Sequence, residues 1–519
     1  MLKRHTILSL FFGIFATLSS FAQIKEQPSF TLSSGSMFSA SGKSVEKKRP
    51  VSKKPAISLI STDLDEMLTI VNRNYAANNK PGTDKLVGSA ITSMLEQLDP
   101  HSNYYSPEEF RELNEGHQGR YFGIGTTIAN FDYDGSPETF ILAVKPNSPA
   151  EQAGLRFGDR IIGVDGKAVF GLSSLEVRNT VRGPVGTVTK LTVERSDGSL
   201  VRDIAVKRAA VAEPSVSSTL MLDASTGYIA LTDGFDYSTS YEFTAAFQSL
   251  KARGIRSLII DLRGNGGGLM DQAILIAENF LPFGQSIMSQ RGRYAVEDRE
   301  WRSRNRKPET LPLVLLVDEG SASASEILAA AMQDNDRATI IGTRTFGKGL
   351  VQNVIPLEGG AGMTLTSERY YTPSGRTLQR EYSDSSLYDY FRHTNKGALI
   401  ARPEVAVKTR NGRTVFGGDG IQPDVVVESF KAEPRHASLL DRLFVAIRNG
   451  KDMTQDDALR VLCTPESGSA KCEADVAYLR LNASQIYSLK NPTDARFSVN
   501  AVKTDPQVDA ALRALNKAK

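Results

Sequence analysis

The chain has 519 residues, enough for about two to four domains, and 40% of them are hydrophobic, which is ordinary for a soluble protein. Its 62 basic and 59 acidic side chains leave a net charge of +3, so no overall electrostatic field favours nucleic acid as a partner.

The first 22 residues have the pattern of a signal peptide. Lys3 and Arg4 precede an apolar run over residues 7–18, and Ser20 and Ala22 occupy the positions of a small-x-small cleavage site. We therefore predict export, with cleavage after Ala22. An uncleaved membrane anchor is the alternative, but about twelve apolar residues fall short of the roughly 20 that span a bilayer.

Residues 23–56 are rich in serine and lysine and lack periodicity, which predicts a flexible linker. Residues 57–118 are predicted to form an N-terminal helical domain, because apolar residues recur there at helical spacing. The second of its helices should stop before Asp99 and Pro100, since the residue preceding a proline disfavours helix. Such a helix pair suits packing or dimerisation.

Residues 119–212 change to short alternating strands separated by turns, with one short capped helix between them. Placed after the string YFGIG at residues 121–125, this order of elements resembles a PDZ domain. In PDZ domains a glycine-rich loop presents N–H groups to a peptide carboxylate, and the peptide adds a strand to the sheet edge. The resemblance implies the following carboxylate-binding residues: Phe122, Gly123, Ile124 and Gly125.

Residues 213–430 alternate strands and helices, which predicts an α/β core, and residues 431–519 have helical spacing. Two strands of the core, residues 257–262 and 313–317, are each followed by a loop of small residues. Because both loops follow strand ends, they can face one crevice at the carboxyl edge of a shared sheet. The first loop lacks the spacing of a dinucleotide or phosphate cradle.

The second loop offers three serines, Ser321, Ser323 and Ser325, between a strand and a helix, where a sharp turn lies beside free N–H groups. Position favours Ser323, because Ser321 is nearer the strand and Ser325 lies where a helix cap is needed. None of the five histidines is near this turn in sequence, whereas Lys348 follows between two glycines.

Lysine acts as a base only when neutral, and lowering its pKa from about 10.4 to about 7 needs a bias of about 4–5 kcal/mol. The residues flanking Lys348 are apolar or small and include no carboxylate, so we expect burial to lower its pKa. A surface cation or a phosphate ligand is the other common role of a lysine between glycines.

Five strings of the chain, in this order, are similar to signatures of the carboxyl-terminal processing peptidases, also called tail-specific proteases, over residues 59–426. They are LDPHS (98–102), DLRGNGGG (261–268), GSASASE (320–326), FGKGLVQ (346–352) and YYTPSGR (370–376). The resemblance implies Ser323 as nucleophile, Lys348 as base and Gln352 as the third catalytic member.

An oxyanion hole is expected from the N–H of Ala324 at the helix start and a second N–H of the glycine loop, with Gly267 preferred over its two glycine neighbours. Four residues of an extended strand span about 13 Å, so contact between Gln352 and Lys348 requires a bend, which Gly349 permits.

The sequence thus predicts a multidomain α/β protein with an N-terminal helical segment, a PDZ-like β-rich domain, an α/β peptidase core and a C-terminal helical region. The family implies an exported serine endopeptidase, most simply periplasmic, that captures protein C-termini and processes or degrades envelope proteins by a Ser/Lys acyl-enzyme mechanism. A catalytically silent PDZ scaffold and a hydrophobic-ligand-binding protein on the same core are the alternatives.

No cofactor and no metal are expected. The partners expected are protein or peptide substrates with free, apolar C-termini, and a second copy bound through the N-terminal helices or the C-terminal region; the sequence identifies no adaptor. Cys463 and Cys472 predict a local disulfide in an exported protein, with two reduced thiols as the alternative. A metal site is not expected, because two cysteines lack partners of suitable spacing.

Overall fold

The computed structural model describes residues 56–77, 81–232, 234–294, 296, 298–383, 386–392, 405–430, 432–450, 469–492 and 495–517. The predicted signal peptide and nearly all of the predicted linker lie outside these residues. Cys463 also lies outside them, and so does the predicted disulfide. Within them the chain is a multidomain α/β protein.

The N-terminal segment is helical, as predicted. Its second helix ends shortly before Asp99 and Pro100, and the third begins at a capping box in which the Ser106 and Glu109 side chains bond each other's backbone N–H groups. The elements are α1 (Ala56–Asn74), α2 (Thr83–Glu96), β1 (Asn103–Tyr105) and α3 (Pro107–His117).

The PDZ region is built on an antiparallel sheet in the order β3-β4-β5-β7-β8, with β6 paired to β5 and a separate β2–β9 pair. β3 is an edge strand of this sheet, and α5 lies beside it. The elements are β2 (Arg120–Gly123), β3 (Thr126–Tyr133), β4 (Ser136–Val144), α4 (Pro149–Gln152), β5 (Arg160–Val164), β6 (Lys167–Ala168), α5 (Ser174–Val181), β7 (Val188–Glu194), β8 (Leu200–Lys207) and β9 (Ala209–Ala212).

The α/β core contains a six-stranded sheet in the order β10-β11-β12-β15-β16-β21, parallel except for the β10–β11 pair. β12 and β15 are neighbours, with Ile259 opposite Val314, so the loops that follow them emerge side by side. Up to α8 the elements are β10 (Ser218–Met221), β11 (Thr226–Ala230), α6 (Thr239–Ala252), β12 (Ser257–Asp261), α7 (Met270–Glu278), β13 (Ser286–Gly292), β14 (Arg299–Arg302), β15 (Leu313–Val317) and α8 (Ala324–Asp334).

A second sheet of the core, in the order β1-β18-β13-β14, carries β17 paired to β18, and thereby joins the N-terminal segment to the strand that follows Lys348. The remaining elements are β16 (Thr339–Gly342), β17 (Leu350–Pro356), β18 (Gly362–Tyr371), α9 (Leu387–Arg392), β19 (Val405–Lys408), β20 (Thr414–Gly417) and β21 (Val425–Val426).

The C-terminal region is helical, as predicted, and packs on the PDZ region and on the core. Its helices are α10 (Pro434–Asn449), α11 (Ser469–Lys490), α12 (Ala495–Lys503) and α13 (Pro506–Lys517). α10 stacks Phe444 on Phe131 of the PDZ sheet with ring centroids 3.8 Å apart, and α13 buries Val508 and Leu515 against the core sheet. None of the helices in the described part of the chain has the length and apolar character that crossing a membrane requires.

Candidate active site

The turn between β15 and α8 holds Ser323 in a backbone conformation that non-glycine residues rarely adopt. β15 ends at Val317, α8 begins at Ala324, and Ser323 between them has φ +54° and ψ −114°. Strain of this kind costs about 1–3 kcal/mol and persists where the surrounding structure enforces it, commonly at active sites. A strained strand-to-helix turn presents a serine hydroxyl beside the first N–H groups of the helix, which suits a nucleophile.

The other two serine candidates tie loops together. Ser321 Oγ donates to the Leu262 carbonyl at 2.8 Å, and Ser325 Oγ donates to the Asn265 carbonyl at 2.9 Å. Both serines are fully buried, whereas Ser323 is half-buried and lines a large cleft. The two ties fasten the serine turn to the glycine loop and leave Ser323 facing the cleft.

The glycine loop after β12 packs directly against the serine turn. Gly267 has φ +95°, and a Cβ built on it would lie 2.7 Å from Ser323 Cβ and 2.9 Å from the Ala324 nitrogen, so only glycine fits. The N–H of Gly267, the predicted second oxyanion donor, donates to Asn265 Oδ1 at 2.9 Å. The glycines on either side of it, the alternatives in the sequence analysis, both line the cleft.

A buried carboxylate, Glu326, joins the serine turn to the lysine loop. Its Oε2 accepts the backbone N–H groups of Ser323 and Lys348, each at 2.9 Å. Its Oε1 accepts the Gly347 N–H at 2.8 Å and the Thr345 hydroxyl at 2.6 Å. Burial raises the pKa of Glu326 to about 7, against the opposing effect of these donors. One side chain therefore fixes the two predicted catalytic residues relative to each other.

Lys348 lies in an environment that favours its neutral form more than water does. Burial lowers its pKa to about 8, while the negative charges of Asp99 and Glu326 act in the opposite direction. The flanking residues indeed carry no carboxylate, and both of these carboxylates come from other elements of the fold. The desolvation predicted from the flanking residues outweighs them.

Gln352 lines the same cleft as Lys348, but its amide nitrogen donates to Thr366 Oγ1 on β18 at 3.1 Å. The pairing of β17 with β18 shifts register between Val351 and Gln352, which marks a β-bulge. The irregularity therefore follows Gly349, where the bend was predicted, and orients Gln352 towards β18.

Two of the described histidines, His101 and His117, line the cleft, and burial disfavours the protonated form of each. His101 Nε2 lies 2.9 Å from the Tyr390 hydroxyl, and its ring contacts Phe346 and Phe391 edge-on. Burial, with the positive charge of Lys348, lowers the pKa of His101 to about 2. Burial likewise lowers the pKa of His117. An imidazole with so low a pKa as that of His101 cannot hold a proton taken from serine.

The cleft extends from the catalytic elements to the PDZ region and has a volume of about 3500 Å³. Ser323 and Lys348 line one part of it, and Arg120, Phe122 and Arg182 line another. A polypeptide bound in the cleft can therefore contact both regions.

The predicted carboxylate loop connects β2 to β3. Gly125 has φ +89°, and a Cβ there would lie 2.2 Å from Ser148 Cβ, so the loop requires glycine at this position. Ile124 is only 3% exposed and packs in the PDZ core, so its side chain is not available to a peptide. The expected preference for an apolar last residue of the substrate therefore cannot come from this side chain.

Comparisons with known proteins place these domains. The pattern of peptidase family S41 matches residues 225–384, and that of the PDZ domain matches residues 140–195. The carboxy-terminal-processing protease of Bartonella bacilliformis is 36% identical over 306 residues, which cover 58% of this chain and 68% of that protein. The chain belongs to the carboxy-terminal processing peptidases of family S41.

A second S41 relative, the carboxy-terminal processing protease CtpA of Bacillus subtilis, is 36% identical over 305 residues, covering 58% of this chain and 63% of that protein. Among solved structures, the photosystem II D1 C-terminal processing protease is 26% identical, with 75% of this chain and 97% of that chain covered and a TM-score of 0.38. The chain spans about two thirds of the length of the Bartonella and Bacillus relatives.

Two residues of this S41 peptidase received no role from the sequence. Glu326 and Asp99 were noticed only as members of the strings GSASASE and LDPHS. The position of Glu326 within a run of small, uncharged residues could have indicated its role. When such a segment is buried, its carboxylate must accept hydrogen bonds from nearby N–H or O–H groups. Which donors it finds depends on the fold.

Proposed function

We propose that this S41 peptidase is an exported serine endopeptidase that cleaves peptide bonds through an acyl-enzyme on Ser323, with Lys348 as the base. The proposal is based on the hydrogen bonds by which the Glu326 carboxylate connects the two predicted catalytic residues. Glu326 holds the strained Ser323 and the Lys348 backbone at one edge of one cleft, each by a 2.9 Å hydrogen bond.

In the proposed acylation, Ser323 Oγ attacks the scissile carbonyl carbon and its proton passes to the lone pair of Lys348 Nζ. The tetrahedral oxyanion is stabilised by the Ala324 N–H and by a second N–H from the glycine loop. The Gly267 N–H already donates to Asn265, so the N–H of Gly266 or of Gly268 is the better candidate for the second donor. Lys348 then protonates the leaving amine, and water hydrolyses the ester by the reverse proton transfers.

The experiment is hydrolysis of an unfolded protein such as labelled casein by wild type and Ser323→Ala. Ser196→Ala is a matched control, because Ser196 is an exposed residue in a turn of the PDZ region. We expect cleavage by wild type and the control and none by Ser323→Ala. If the protein is a catalytically silent scaffold, none of the three proteins will cleave casein. Cleavage by Ser323→Ala would exclude Ser323 as the nucleophile.

We propose that substrate C-termini bind along β3, with the carboxylate at the loop formed by residues 122–125 (FGIG). β3 is an edge strand, as strand addition requires, and the Lys145 ammonium and Arg182 guanidinium lie 5.1 and 5.6 Å from the Tyr121 ring beside the loop. Lys145 is already paired with Glu213 at 3.1 Å, so Arg182 is the cation that favours a carboxylate here. Since the same cleft reaches Ser323, a captured tail raises the local concentration of the upstream segment there.

We propose export to the bacterial periplasm, with envelope proteins as substrates, on the pattern of the first 22 residues. An N-terminal fusion of residues 1–30 to a reporter tests it: the reporter should reach the periplasm with the cut after Ala22. Retention of the reporter in the cytoplasm would contradict export.

We propose that α1 binds a second copy of the chain. Four large apolar side chains of α1 are more than half exposed: Leu59, Ile60, Met67 and Ile70. The C-terminal helices, the other candidate surface, bury their apolar residues against the PDZ region and the core. Sedimentation should give a dimer for wild type and a monomer for Met67→Asp; a monomeric wild type would contradict the proposal.

A further inference from the structure

The loop between α2 and β1 carries a buried carboxylate for which the proposed mechanism has no role. Asp99 is 6% exposed. Its Oδ1 accepts the N–H groups of His101 and Ser102 at 2.8 and 2.9 Å and the Thr366 hydroxyl at 3.0 Å, and its Oδ2 accepts the Ser102 hydroxyl at 2.6 Å. All four groups donate, which suits a carboxylate that only accepts.

Thr366 connects this carboxylate to Gln352. The Thr366 hydroxyl donates its one proton to Asp99 Oδ1, so it can only accept from the Gln352 amide nitrogen, which lies 3.1 Å away. The Thr366 N–H donates to Ser102 Oγ at 3.0 Å, which fixes the strand against the loop. Asp99 therefore dictates the direction of the chain of hydrogen bonds and leaves the Gln352 carbonyl oxygen as an acceptor for an ammonium.

The same carboxylate acts on Lys348 through space. Asp99 raises the pKa of Lys348, as does Glu326 from α8, against the dominant effect of burial. Among the described residues, His101 and Arg380 also lie beside the lysine loop: the low pKa of His101 keeps it neutral, and Arg380 is a cation that also lowers the pKa of His101. Two tyrosines also belong to this environment: Tyr370, whose hydroxyl donates to the Lys348 carbonyl, and Tyr390, which contacts His101.

We propose that Asp99 is a positioning residue of the Ser323/Lys348 reaction: it orients Gln352 through Thr366 and stabilises the Lys348 ammonium that forms during acylation. The proposal rests on the proposed function. When the proton of Ser323 moves to Lys348 Nζ, a positive charge appears within the field of a fixed carboxylate, and this interaction is stronger in the transition state than in the resting site.

The first test is the pH profile of kcat for Asp99→Asn, which keeps the shape and removes the charge. We expect the rise of kcat with pH to move to lower pH by about 1 unit, because a neighbouring negative charge no longer favours the ammonium. The plateau of kcat should fall by about tenfold or more, with KM little changed. A purely structural role would lower the plateau without moving the rise.

The second test keeps the charge and breaks the relay. Thr366→Val should lower kcat by about tenfold or more without moving the rise, Thr366→Ser should restore most of it, and Thr366→Val should have no further effect in a Gln352→Ala background. Thr244→Val, on the exposed face of α6, is the matched control. This arm stays informative if Asp99→Asn fails to fold.

If a folded Asp99→Asn variant shows the rise of kcat at the same pH as wild type, Asp99 does not stabilise the Lys348 ammonium. If the effects of Thr366→Val and Gln352→Ala on kcat are additive, Asp99 does not orient Gln352 through Thr366. Both outcomes leave wild type active and the proposed function intact. If wild type shows no Ser323-dependent cleavage, the proposed function fails and the role of Asp99 fails with it.

Discussion

Replacing Glu326 by Gln tests whether one buried carboxylate assembles the site. The amide keeps the size, but its nitrogen must face one of two donor pairs: Ser323 and Lys348 N–H, or Gly347 N–H and the Thr345 hydroxyl. The Thr345 hydroxyl can turn and accept from this nitrogen, so the less costly orientation is the one that deprives the Gly347 N–H of its acceptor and redirects the hydroxyl proton. A buried donor without an acceptor costs about 1–3 kcal/mol.

The expected loss of about 1–3 kcal/mol should appear in the unfolding of the core. Trp301, the one tryptophan of the chain, packs against the core cluster and reports this transition by fluorescence in urea. Because both catalytic loops shift together, kcat should fall by about a hundredfold, as for misplacement of about 1 Å. The exposed Glu358→Gln is the matched control. If Glu326→Gln left both the urea transition and kcat unchanged, the Glu326 carboxylate would not be what holds the two catalytic loops in place.

Three further expectations concern the base and the substrate. Lys348→Ala and Lys348→Arg should both abolish casein cleavage while the urea transition is kept, because neither offers a neutral amine; appreciable activity of the arginine variant would refute a lysine base. The ratio kcat/KM should rise with pH through about 8, since the neutral form of Lys348 is the active one, and His101→Gln should keep that rise; its loss would favour a Ser/His mechanism. Amidating the C-terminus of a good peptide substrate should raise KM strongly without changing the cleavage position, and equal efficiency of acid and amide would contradict carboxylate capture.

Local sequence signals predict much of the framework of the site. The strand β15 is a continuous apolar run and β12 is apolar over residues 258–260. Each is followed by a loop of small residues, so their parallel pairing and shared edge follow from general rules for α/β sheets. The structure shows that the hydroxyls of Ser321 and Ser325 bond to carbonyls of the glycine loop, and the choice of Ser323 as nucleophile stays a prediction.

The contacts that tune the site could not be predicted, because they join segments distant in the chain. Asp99 reaches the Lys348 region only because β1 pairs with β18, and Glu326 faces the lysine loop only because α8 is buried beneath it. The β-bulge at Gln352 is likewise a property of β17 pairing with β18. A reading of flanking residues therefore missed both carboxylates around the lysine.

The most direct test of the central claim is to locate the covalent intermediate. Wild-type protein quenched in acid during turnover of an activated peptide ester should carry one acyl group, which peptide mapping by mass spectrometry should place on Ser323. Ser323→Ala should carry none and should not turn over the ester. Turnover with the acyl group on another residue, or undiminished turnover by Ser323→Ala, would contradict the Ser323 acyl-enzyme.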